Sequence, residues 1–437
     1  MKLSKYTILI DDDGQYIAYN TASNSMMVCT REIVGLIRKY SHEIDRIRNI
    51  HPSLYDYLKD KNFIVSEEAD ETLGFIQSLK QELDDIEEYS ITINPTMNCN
   101  LRCWYCYEEH LAHSNMPEKI IESIKKLIEN IVGNPKVKSL HLSFFGGEPL
   151  LGFKNCIKPL IEFSDALCRK YDTSFSFGFT TNAVLLSEET CDILARFDRE
   201  VSMQIPFDGD RPMHDSIKRT ATGKGTYDRI LTNLKYALSK GFYITVRCNY
   251  TTKSAASFRN LVEDIKPLLV TYPSRVRVSF QQVWQDLNQH KANPIIDELE
   301  SEISNIGAHC YCSDADISRC YADKKNSFVI NYDGSIYQCT AREFTDSNKE
   351  GVLRADGTIE YNERYHRRME SRFSNPECME CNLYPICNIC TQKRLEQGNT
   401  QCPGSRFPNF KQDLLLSRIK ALYRLSQEKQ SPGKNHF

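Results

Sequence analysis

Three closely spaced cysteines are the residues of this sequence best suited to chemistry. Cys99, Cys103 and Cys106 lie within eight positions of one another in the segment "MNCNLRCWYCYEEH". A zinc site closed by protein uses four ligands, whereas an iron-sulfur cluster held by three cysteines keeps one iron free for another ligand. The triplet therefore indicates a cluster with an open iron, half of a zinc site, or a group of redox thiols.

A second concentration of cysteines lies toward the C-terminus. Of the 17 cysteines, nine fall in this region: Cys310, Cys312, Cys320, Cys339, Cys378, Cys381, Cys387, Cys390 and Cys402. The segment "CMECNLYPICNIC" has the spacing Cys-x2-Cys-x5-Cys-x2-Cys, and sets of four thiolates suit either iron-sulfur clusters or zinc. The remaining five lie in apolar surroundings and are predicted to be buried small hydrophobes: Cys29, Cys156, Cys168, Cys191 and Cys248.

Length and composition limit the classes of protein that fit. A chain of 437 residues exceeds the roughly 250 to 300 residues of one core, so two or three domains are expected. The net charge of -3 offers no general attraction to nucleic acid or acidic lipid. No apolar run approaches the roughly 18 residues of a membrane helix, and the N-terminal segment does not resemble a secretory signal. We therefore expect a cytoplasmic protein, where metal binding is favoured over disulfides; a secreted disulfide protein is the alternative.

The elements that must position the first triplet follow a βα pattern. Six β-branched or aromatic segments predict strands: "YSITINPT", "SLHLSFFGG", "SFSFGFTTN", "EVSMQIPFDG", "FYITVRCNYT" and "RVRVSFQQVW". Segments with helical periodicity separate them, which predicts an α/β fold with a parallel sheet. The triplet follows the first strand directly, at the edge where the chemistry of such sheets gathers.

The sequence predicts that the whole chain divides into four regions. Residues 1–88 form a small α+β module, because a hairpin around an Asp/Gly turn is followed by helices and a short strand, the outline of a winged-helix-like module. Residues 89–290 carry the βα pattern, residues 291–410 are rich in cysteine, and residues 411–437 form a helix and tail.

The spacing Cys-x3-Cys-x-aromatic-Cys, with Tyr105 before the third cysteine, resembles the signature of the radical S-adenosylmethionine (SAM) superfamily. The resemblance implies a partial (β/α)6 TIM-like barrel and a 4Fe-4S cluster on Cys99, Cys103 and Cys106, which would be the catalytic ligands. It also implies that the open iron binds the amino and carboxylate groups of SAM. One electron would then cleave SAM to methionine and a 5'-deoxyadenosyl radical, which takes a hydrogen atom from the substrate.

Other segments resemble SAM-binding elements of this superfamily. "FFGGEPLL" resembles the element that contacts the amino group of SAM and supplies Gly146, Gly147, Glu148 and Pro149. Glycines allow close approach of the backbone, and a carboxylate suits an ammonium group. "FTTNAVLL" resembles the Thr-Asn element and places Asn182 near the cofactor, or gives it a local role in a helix N-terminal turn.

The segment "PFDGDRPMHDSIKR" resembles the pattern that follows the fourth strand in this superfamily. It supplies Asp208, Gly209, His214, Asp215 and Arg219. Relatives usually carry Ser at the position of Pro206, so any contact of that Ser with SAM must be absent or replaced here. Arg219 is expected to pair either with the carboxylate of SAM or with a neighbouring acid.

The C-terminal cysteines resemble the SPASM domain, the auxiliary-cluster extension of radical SAM enzymes that modify peptides and proteins. The resemblance implies two further 4Fe-4S clusters. One would be held by Cys312, Cys320, Cys339 and Cys390, and the other by Cys378, Cys381, Cys387 and Cys402. Cys310 competes with Cys312, Cys390 departs from the usual spacing, and two zinc sites remain the alternative.

The resemblance predicts an oxidoreductase-type peptide maturase that forms a thioether or carbon-carbon crosslink in a ribosomally synthesised precursor (RiPP). Its partners would be the precursor peptide with its leader and an electron donor such as flavodoxin or ferredoxin, but no nucleic acid or membrane. Residues 1–88 resemble a peptide-recognition element that pairs with a leader, or form a structural cap. A sulfatase-maturing enzyme is an alternative, although Thr340 stands where those relatives carry a base Asp. A non-catalytic metal-binding protein is another.

Overall fold

The computed structural model describes residues 1–12, 14–220, 222–286, 293–310, 319–398, 401–406 and 409–430. The chain forms two compact units. The first unit comprises Met1–Asp84, Ser313–Lys324 and His366–Phe437, and the second comprises Asp85–Cys312 and Lys325–Tyr365. The first unit thus combines the N-terminal segment with most of the C-terminal region, and the domain bounds drawn from the sequence stay a prediction.

The N-terminal part of the first unit contains two small sheets and short helices. The strands are β1 (Lys2–Leu3), β2 (Thr7–Asp12), β3 (Gln15–Asn20), β4 (Ser25–Cys29) and β5 (Ile64–Val65). The helices are α1 (Arg31–Lys39), α2 (Arg46–Ile50), α3 (Pro52–Asp60) and α4 (Glu71–Leu83). β1 pairs with β5, and β2, β3 and β4 form a three-stranded antiparallel sheet. The predicted hairpin and helices are confirmed, whereas β4 was not predicted.

The second unit contains an 11-stranded sheet with the order β12-β11-β10-β9-β8-β7-β6-β13-β14-β15-β16. Its strands are β6 (Glu88–Ile93), β7 (Ser139–Phe144), β8 (Ser174–Thr180), β9 (Glu200–Phe207), β10 (Tyr243–Tyr250), β11 (Val276–Gln282), β12 (His309–Cys310), β13 (Ser327–Ile330), β14 (Ser335–Tyr337), β15 (Gly351–Leu353) and β16 (Ile359–Tyr361). Strands β6 to β12 are parallel, β13 is parallel to β6, and the pairs from β13 to β16 are antiparallel. The α/β prediction with six successive parallel strands is therefore confirmed, and the sheet extends beyond them on both sides.

Helices follow the parallel strands, as the periodicity of the sequence predicts. They are α5 (Glu118–Val132), α6 (Lys158–Tyr171), α7 (Glu188–Ala195), α8 (Arg211–Ile217), α9 (Tyr227–Ser239), α10 (Phe258–Thr271) and α11 (Asn293–Asn305). In α5, Ile120, Ile124, Leu127 and Ile131 recur three or four residues apart and are buried. This stripe packs into the same core as the buried residues of the sheet.

Alternation along the strands gives the sheet one apolar and one polar face. In β7, Leu140, Leu142 and Phe144 are buried in the core, while His141 and Ser143 point to the opposite face. Because β6, β7, β8 and β9 are neighbours and parallel, the segments after them meet at one edge of the sheet. All four sequence elements predicted to bind the cluster and SAM follow these four strands.

The C-terminal helices complete the structure. They are α12 (Glu363–Glu370), α13 (Pro376–Met379), α14 (Thr391–Gln397) and α15 (Phe410–Gln430). The predicted C-terminal helix is confirmed as α15, whose Ile419 packs against Ile17 and Tyr19 of β3 within the first unit. None of the helices in the described part of the chain has both the length and the apolar character required to cross a membrane.

Candidate active site

The three-cysteine loop begins directly after β6. Cys99 and Cys103 are partly buried and Cys106 is exposed. The Cys99 thiol interacts electrostatically with both of the others, and the backbone N–H of Leu101 donates to its Sγ at 3.4 Å. Burial raises the pKa of all three thiols, that of Cys99 to about 12. Burial thus favours the neutral thiols, and a metal centre bound here would supply the positive charge that favours the thiolates.

The two glycines after β7 allow the backbone of their turn to lie against the cysteine loop. Gly146 has a φ of +105°, and a Cβ added to Gly147 would lie 2.2 Å from the carbonyl oxygen of Asn98. The N–H of Gly147 donates to the carbonyl of Thr96 at 3.1 Å, and the N–H of Glu148 donates to that of Asn98 at 2.8 Å. Only residues without side chains permit this approach, which positions the backbone just before Cys99.

This contact gives a direct test. We expect Gly147→Ala to destabilise the fold by about 1–3 kcal/mol and to lower the iron bound by the purified protein, because the added methyl group meets backbone that cannot move aside. Gly74→Ala is the control, since its Cβ would meet nothing within 4 Å in α4. Iron analysis and thermal unfolding of both variants would measure the effect. An unchanged iron content in Gly147→Ala would contradict the proposed contact.

The Glu148 side chain connects the end of β7 to the end of β8. It is 1% exposed, and its Oε1 accepts from the Thr181 hydroxyl at 2.7 Å and from the N–H of Leu150 at 3.0 Å. Oε2 accepts from the N–H of Asn182 at 2.9 Å. Burial raises the pKa of Glu148 to about 7, although these hydrogen bonds oppose the shift. The carboxyl group is thus fully engaged within the protein, and Pro149 begins the short 3-10 turn that follows.

Asn182 reaches the cysteine loop from the end of β8. Its Nδ2 donates to Asn100 Oδ1 at 2.8 Å and lies 3.8 Å from Cys99 Sγ, while its Oδ1 accepts from the N–H of Val184 at 3.0 Å. One end of Asn182 thus stabilises the local turn and the other contacts the cysteine loop, while its place near the cofactor stays a prediction.

Asp208, directly after β9, belongs to a buried charge network that reaches the cysteine loop at Tyr105. It forms an ion pair with Lys218, and the Tyr105 hydroxyl donates to its Oδ1 at 2.5 Å. Lys218 Nζ and Asn249 Nδ2 donate to the same hydroxyl at 2.7 and 3.2 Å. Lys218 and Asp208 are 2% and 0% exposed. Burial lowers the pKa of Lys218, but the Asp208 carboxylate outweighs it and holds that pKa above its usual value.

Sequence reasoning missed Lys218 and Asn249. It named Arg219 instead, because the segment resembles the pattern that follows the fourth strand in the superfamily. In the structure Arg219 is exposed and its Nε donates to the main-chain oxygen of Asp215 at 2.7 Å. The sequence signal for the buried pair is weak: Asp208 and Lys218 lie in the same segment, "PFDGDRPMHDSIKR".

His214 and Asp215 support the backbone of this segment. The N–H of Asp208 donates to His214 Nδ1 at 3.4 Å, and burial lowers the pKa of His214 to about 2, so the ring is neutral. Asp215 Oδ1 accepts from the N–H groups of Thr226 and Tyr227 at 2.7 and 2.9 Å. Gly209 has a φ of +113°, which fits its place in the turn after β9.

Sequence comparison gives the family of the residues that carry this site. The Radical SAM superfamily model matches residues 93–264, which span the cysteine loop and the segments after β7, β8 and β9. Residues 93–264 thus carry a radical SAM region, and the chain is a radical SAM enzyme. It is therefore an enzyme whose cofactors are SAM and a 4Fe-4S cluster, and Cys99, Cys103 and Cys106 have the donor chemistry that such a cluster requires.

Relatives of this radical SAM enzyme include a sulfatase-maturating enzyme and a cyclopropyl synthase. The "Cysteine-type anaerobic sulfatase-maturating enzyme" of Clostridium novyi (strain NT) is 23% identical over 368 residues, which cover 74% of this chain and 90% of that protein. "Radical SAM cyclopropyl synthase TigE" of Paramaledivibacter caminithermalis is 25% identical over 255 residues, covering 50% of this chain and 52% of the relative.

Solved structures share the fold of the enzyme. The structure "Native anSMEcpe with bound AdoMet" matches with a TM-score of 0.60 and 17% identity, covering 78% of this chain and 100% of that one. Streptococcus suis SuiB bound to S-adenosylmethionine matches with a TM-score of 0.50 and 17% identity, covering 90% and 96% of the two chains.

The first unit of the radical SAM enzyme brings together four of the C-terminal cysteines. Cys378, Cys381, Cys387 and Cys402 line one pocket, whose wall is completed by apolar residues including Leu383, Tyr384, Pro403, Phe410 and Leu414. Within the described part of the chain, no three Cys, His, Asp or Glu side chains converge closely enough to surround one metal ion. Zinc would hold each thiolate about 2.3 Å from a single point, whereas each thiolate of a cluster binds a different iron. The four thiols that line this pocket have the donor chemistry that either centre requires.

The other predicted cysteine set is described only in part. Cys320 and Cys390 are hydrogen-bonding neighbours in the first unit, and that bond lowers the pKa of the Cys390 thiol. Cys339 belongs to the second unit. Cys312 and the side chain of Cys310 lie outside the described residues. Which of the two is the cluster ligand therefore stays a prediction.

Proposed function

We propose that this radical SAM enzyme is a RiPP maturase with three 4Fe-4S clusters, which abstracts hydrogen from a precursor peptide and forms a thioether or carbon-carbon crosslink. The observation that carries the proposal is the likeness to SuiB over 90% of this chain, including a structure of SuiB bound to its precursor peptide SuiA. The two small N-terminal sheets precede the radical SAM region in this chain.

In the proposed reaction, Cys99, Cys103 and Cys106 would hold the first cluster, and this cluster would supply the electron for cleavage of SAM to methionine and a 5'-deoxyadenosyl radical. Gly146 and Gly147 would contribute backbone to the SAM site, and the internal hydrogen bonds of Glu148 hold that turn in place. Asn182 holds the cysteine loop through Asn100, and the Asp208–Lys218 pair holds it through the Tyr105 hydroxyl. These contacts would orient the loop around the cluster.

The C-terminal cysteines would form a SPASM domain that manages the substrate radical. Cys378, Cys381, Cys387 and Cys402 would hold one auxiliary cluster, and Cys312, Cys320, Cys339 and Cys390 the other. Abstraction of hydrogen gives 5'-deoxyadenosine and a substrate radical. Bond formation would then release one proton to solvent and one electron, for which an auxiliary cluster would be the acceptor. A donor such as flavodoxin or ferredoxin would supply the electron for SAM cleavage, in the cytoplasmic location predicted from the sequence.

The number of clusters is measurable. We expect the anaerobically reconstituted enzyme to hold about twelve irons, because three clusters of four irons each require that many. Iron, sulfide and zinc analysis of the same sample would give the count. About four irons together with bound zinc would refute the auxiliary clusters but leave the first cluster intact.

The N-terminal module, residues 1–88, would bind the leader segment of the precursor peptide. β2 and β4 are the edge strands of its three-stranded sheet, and an edge strand can pair with an extended peptide by β-augmentation. The winged-helix-like description of this module belongs to the same proposal. Neither nucleic acid nor a membrane is a proposed partner, in keeping with the net charge of -3.

The substrate test begins with short open reading frames beside the gene. We expect co-expression with the correct precursor to remove two hydrogens from the peptide, a change of about 2 Da, since one new bond replaces two bonds to hydrogen. Mass spectrometry of the peptide measures the change. Deleting residues that precede the modified core of the peptide should abolish it, and an unchanged mass for every neighbouring peptide would contradict the maturase proposal.

Sulfatase maturation is the second candidate function, favoured by the relative from Clostridium novyi (strain NT). Against it, the residue after Cys339 is Thr340, whose main-chain oxygen accepts from the Tyr107 hydroxyl at 2.7 Å. Glu343 and Asp346 lie nearby in sequence as substitutes for the missing base. Incubation with a sulfatase peptide and SAM tests this candidate, and formation of formylglycine would favour it over crosslinking.

A further inference from the structure

Arg394 of α14 is a buried cation that faces sulfur. Its side chain is 1% exposed. Nη1 donates to Cys378 Sγ at 3.0 Å and Nη2 donates to Cys387 Sγ at 3.3 Å. Nε donates to the main-chain oxygen of Ile389 at 3.0 Å, which fixes the plane of the guanidinium group.

Within the described ranges, no carboxylate forms an ion pair with Arg394, and the ring of Tyr384 lies 6.0 Å from its Cζ. A buried guanidinium group is costly unless it is paired with negative charge. Neutral thiols do not supply that charge, whereas thiolates bound to a metal centre do, since four thiolates outweigh the positive charge of a cluster core.

We propose that Arg394 is a positioning residue that orients the Cys378 and Cys387 thiolates and raises the reduction potential of the auxiliary cluster they hold. This inference rests on the proposed function, because it requires that cluster. Hydrogen bonds to cluster sulfurs and the net charge around the cluster both set its potential. A fixed cation stabilises the reduced form, which carries one more negative charge, and so favours the electron transfer from the substrate radical.

The test compares reduction potentials in a protein that lacks the first cluster. Arg394→Gln and Arg394→Lys would each be combined with alanine at Cys99, Cys103 and Cys106, so that only auxiliary clusters contribute to the EPR-monitored titration. Arg418→Gln is the matched control, since Arg418 is also buried in the first unit but its guanidinium group lies 3.2 Å from Asn24 Oδ1. Iron content is measured for every sample.

We expect Arg394→Gln to shift one midpoint to a more negative potential, Arg394→Lys to shift it less because the charge is kept, and Arg418→Gln to shift nothing. Loss of one cluster's iron in Arg394→Gln, with retention in Arg394→Lys and Arg418→Gln, also supports the role. An unshifted midpoint at full iron content in Arg394→Gln overturns it, as does equal iron loss in all three variants. A parent protein without auxiliary iron refutes the proposed clusters instead, whatever Arg394 does.

Discussion

Replacing Cys99, Cys103 and Cys106 together by alanine is expected to reduce formation of 5'-deoxyadenosine to background. The three thiols are the protein ligands of the proposed first cluster, and residues that only support a ligand already change metal affinity or activity by about 10- to 100-fold. Losing the ligands themselves must cost more. Chromatographic assay of deoxyadenosine with dithionite as reductant measures the effect, and iron content should fall by about four per chain.

Cys191→Ala is the control for this variant. Cys191 is fully buried in α7 and packs in the core of the second unit. Its loss removes a small hydrophobe, so stability should fall slightly while cleavage of SAM persists. Deoxyadenosine formation at the parental rate in the triple variant would refute the assignment of the first cluster.

The second large effect is expected at Lys218. Lys218→Met leaves Asp208 as a buried carboxylate without its ion-pair partner. Breaking such a pair on one side costs about 3–5 kcal/mol. The Tyr105 hydroxyl also loses a donor, and Tyr105 lies between Cys103 and Cys106 in the chain. We therefore expect a lower unfolding temperature and a first cluster that loses iron more readily, measured by thermal unfolding and by iron release to a chelator.

Two comparisons isolate the buried pair. Lys138→Met removes an ion pair with Glu87 in the same unit, but both of those side chains are exposed, so little change is expected. The double variant Lys218→Met with Asp208→Leu removes both buried charges and should recover much of the stability. If Lys218→Met behaves like Lys138→Met, the buried network does not hold the cysteine loop.

The sequence predicted those features whose signals are local. Cys99, Cys103 and Cys106 lie close together in the chain, so their spacing alone indicates a shared metal centre. The six parallel strands and their helices were predicted because apolar residues repeat with periods fixed by backbone geometry. The strand β4 was not predicted, because its sequence "SMMVC" shows no alternation of apolar and polar residues.

Contacts between distant parts of the chain were not predictable in the same way. Tyr105, Asp208, Lys218 and Asn249 meet through three different strand ends, and nothing in the local sequence marks Lys218 rather than Arg219 as the buried cation. Glu148 was predicted to suit an ammonium group, but three internal donors occupy its oxygens. Such assignments depend on which groups are deprived of water, and burial is a property of the assembled fold.

The sequence by itself indicated the radical SAM chemistry of this protein, because the predicted cluster ligands and the segments after β7, β8 and β9 keep their spacing along the chain. Tertiary structure alone decided which polar side chains support that chemistry. The Asp208–Lys218 pair and the contact of Arg394 with Cys378 and Cys387 exist because folding removes these charges from water, and a charge without water must find a partner within the protein.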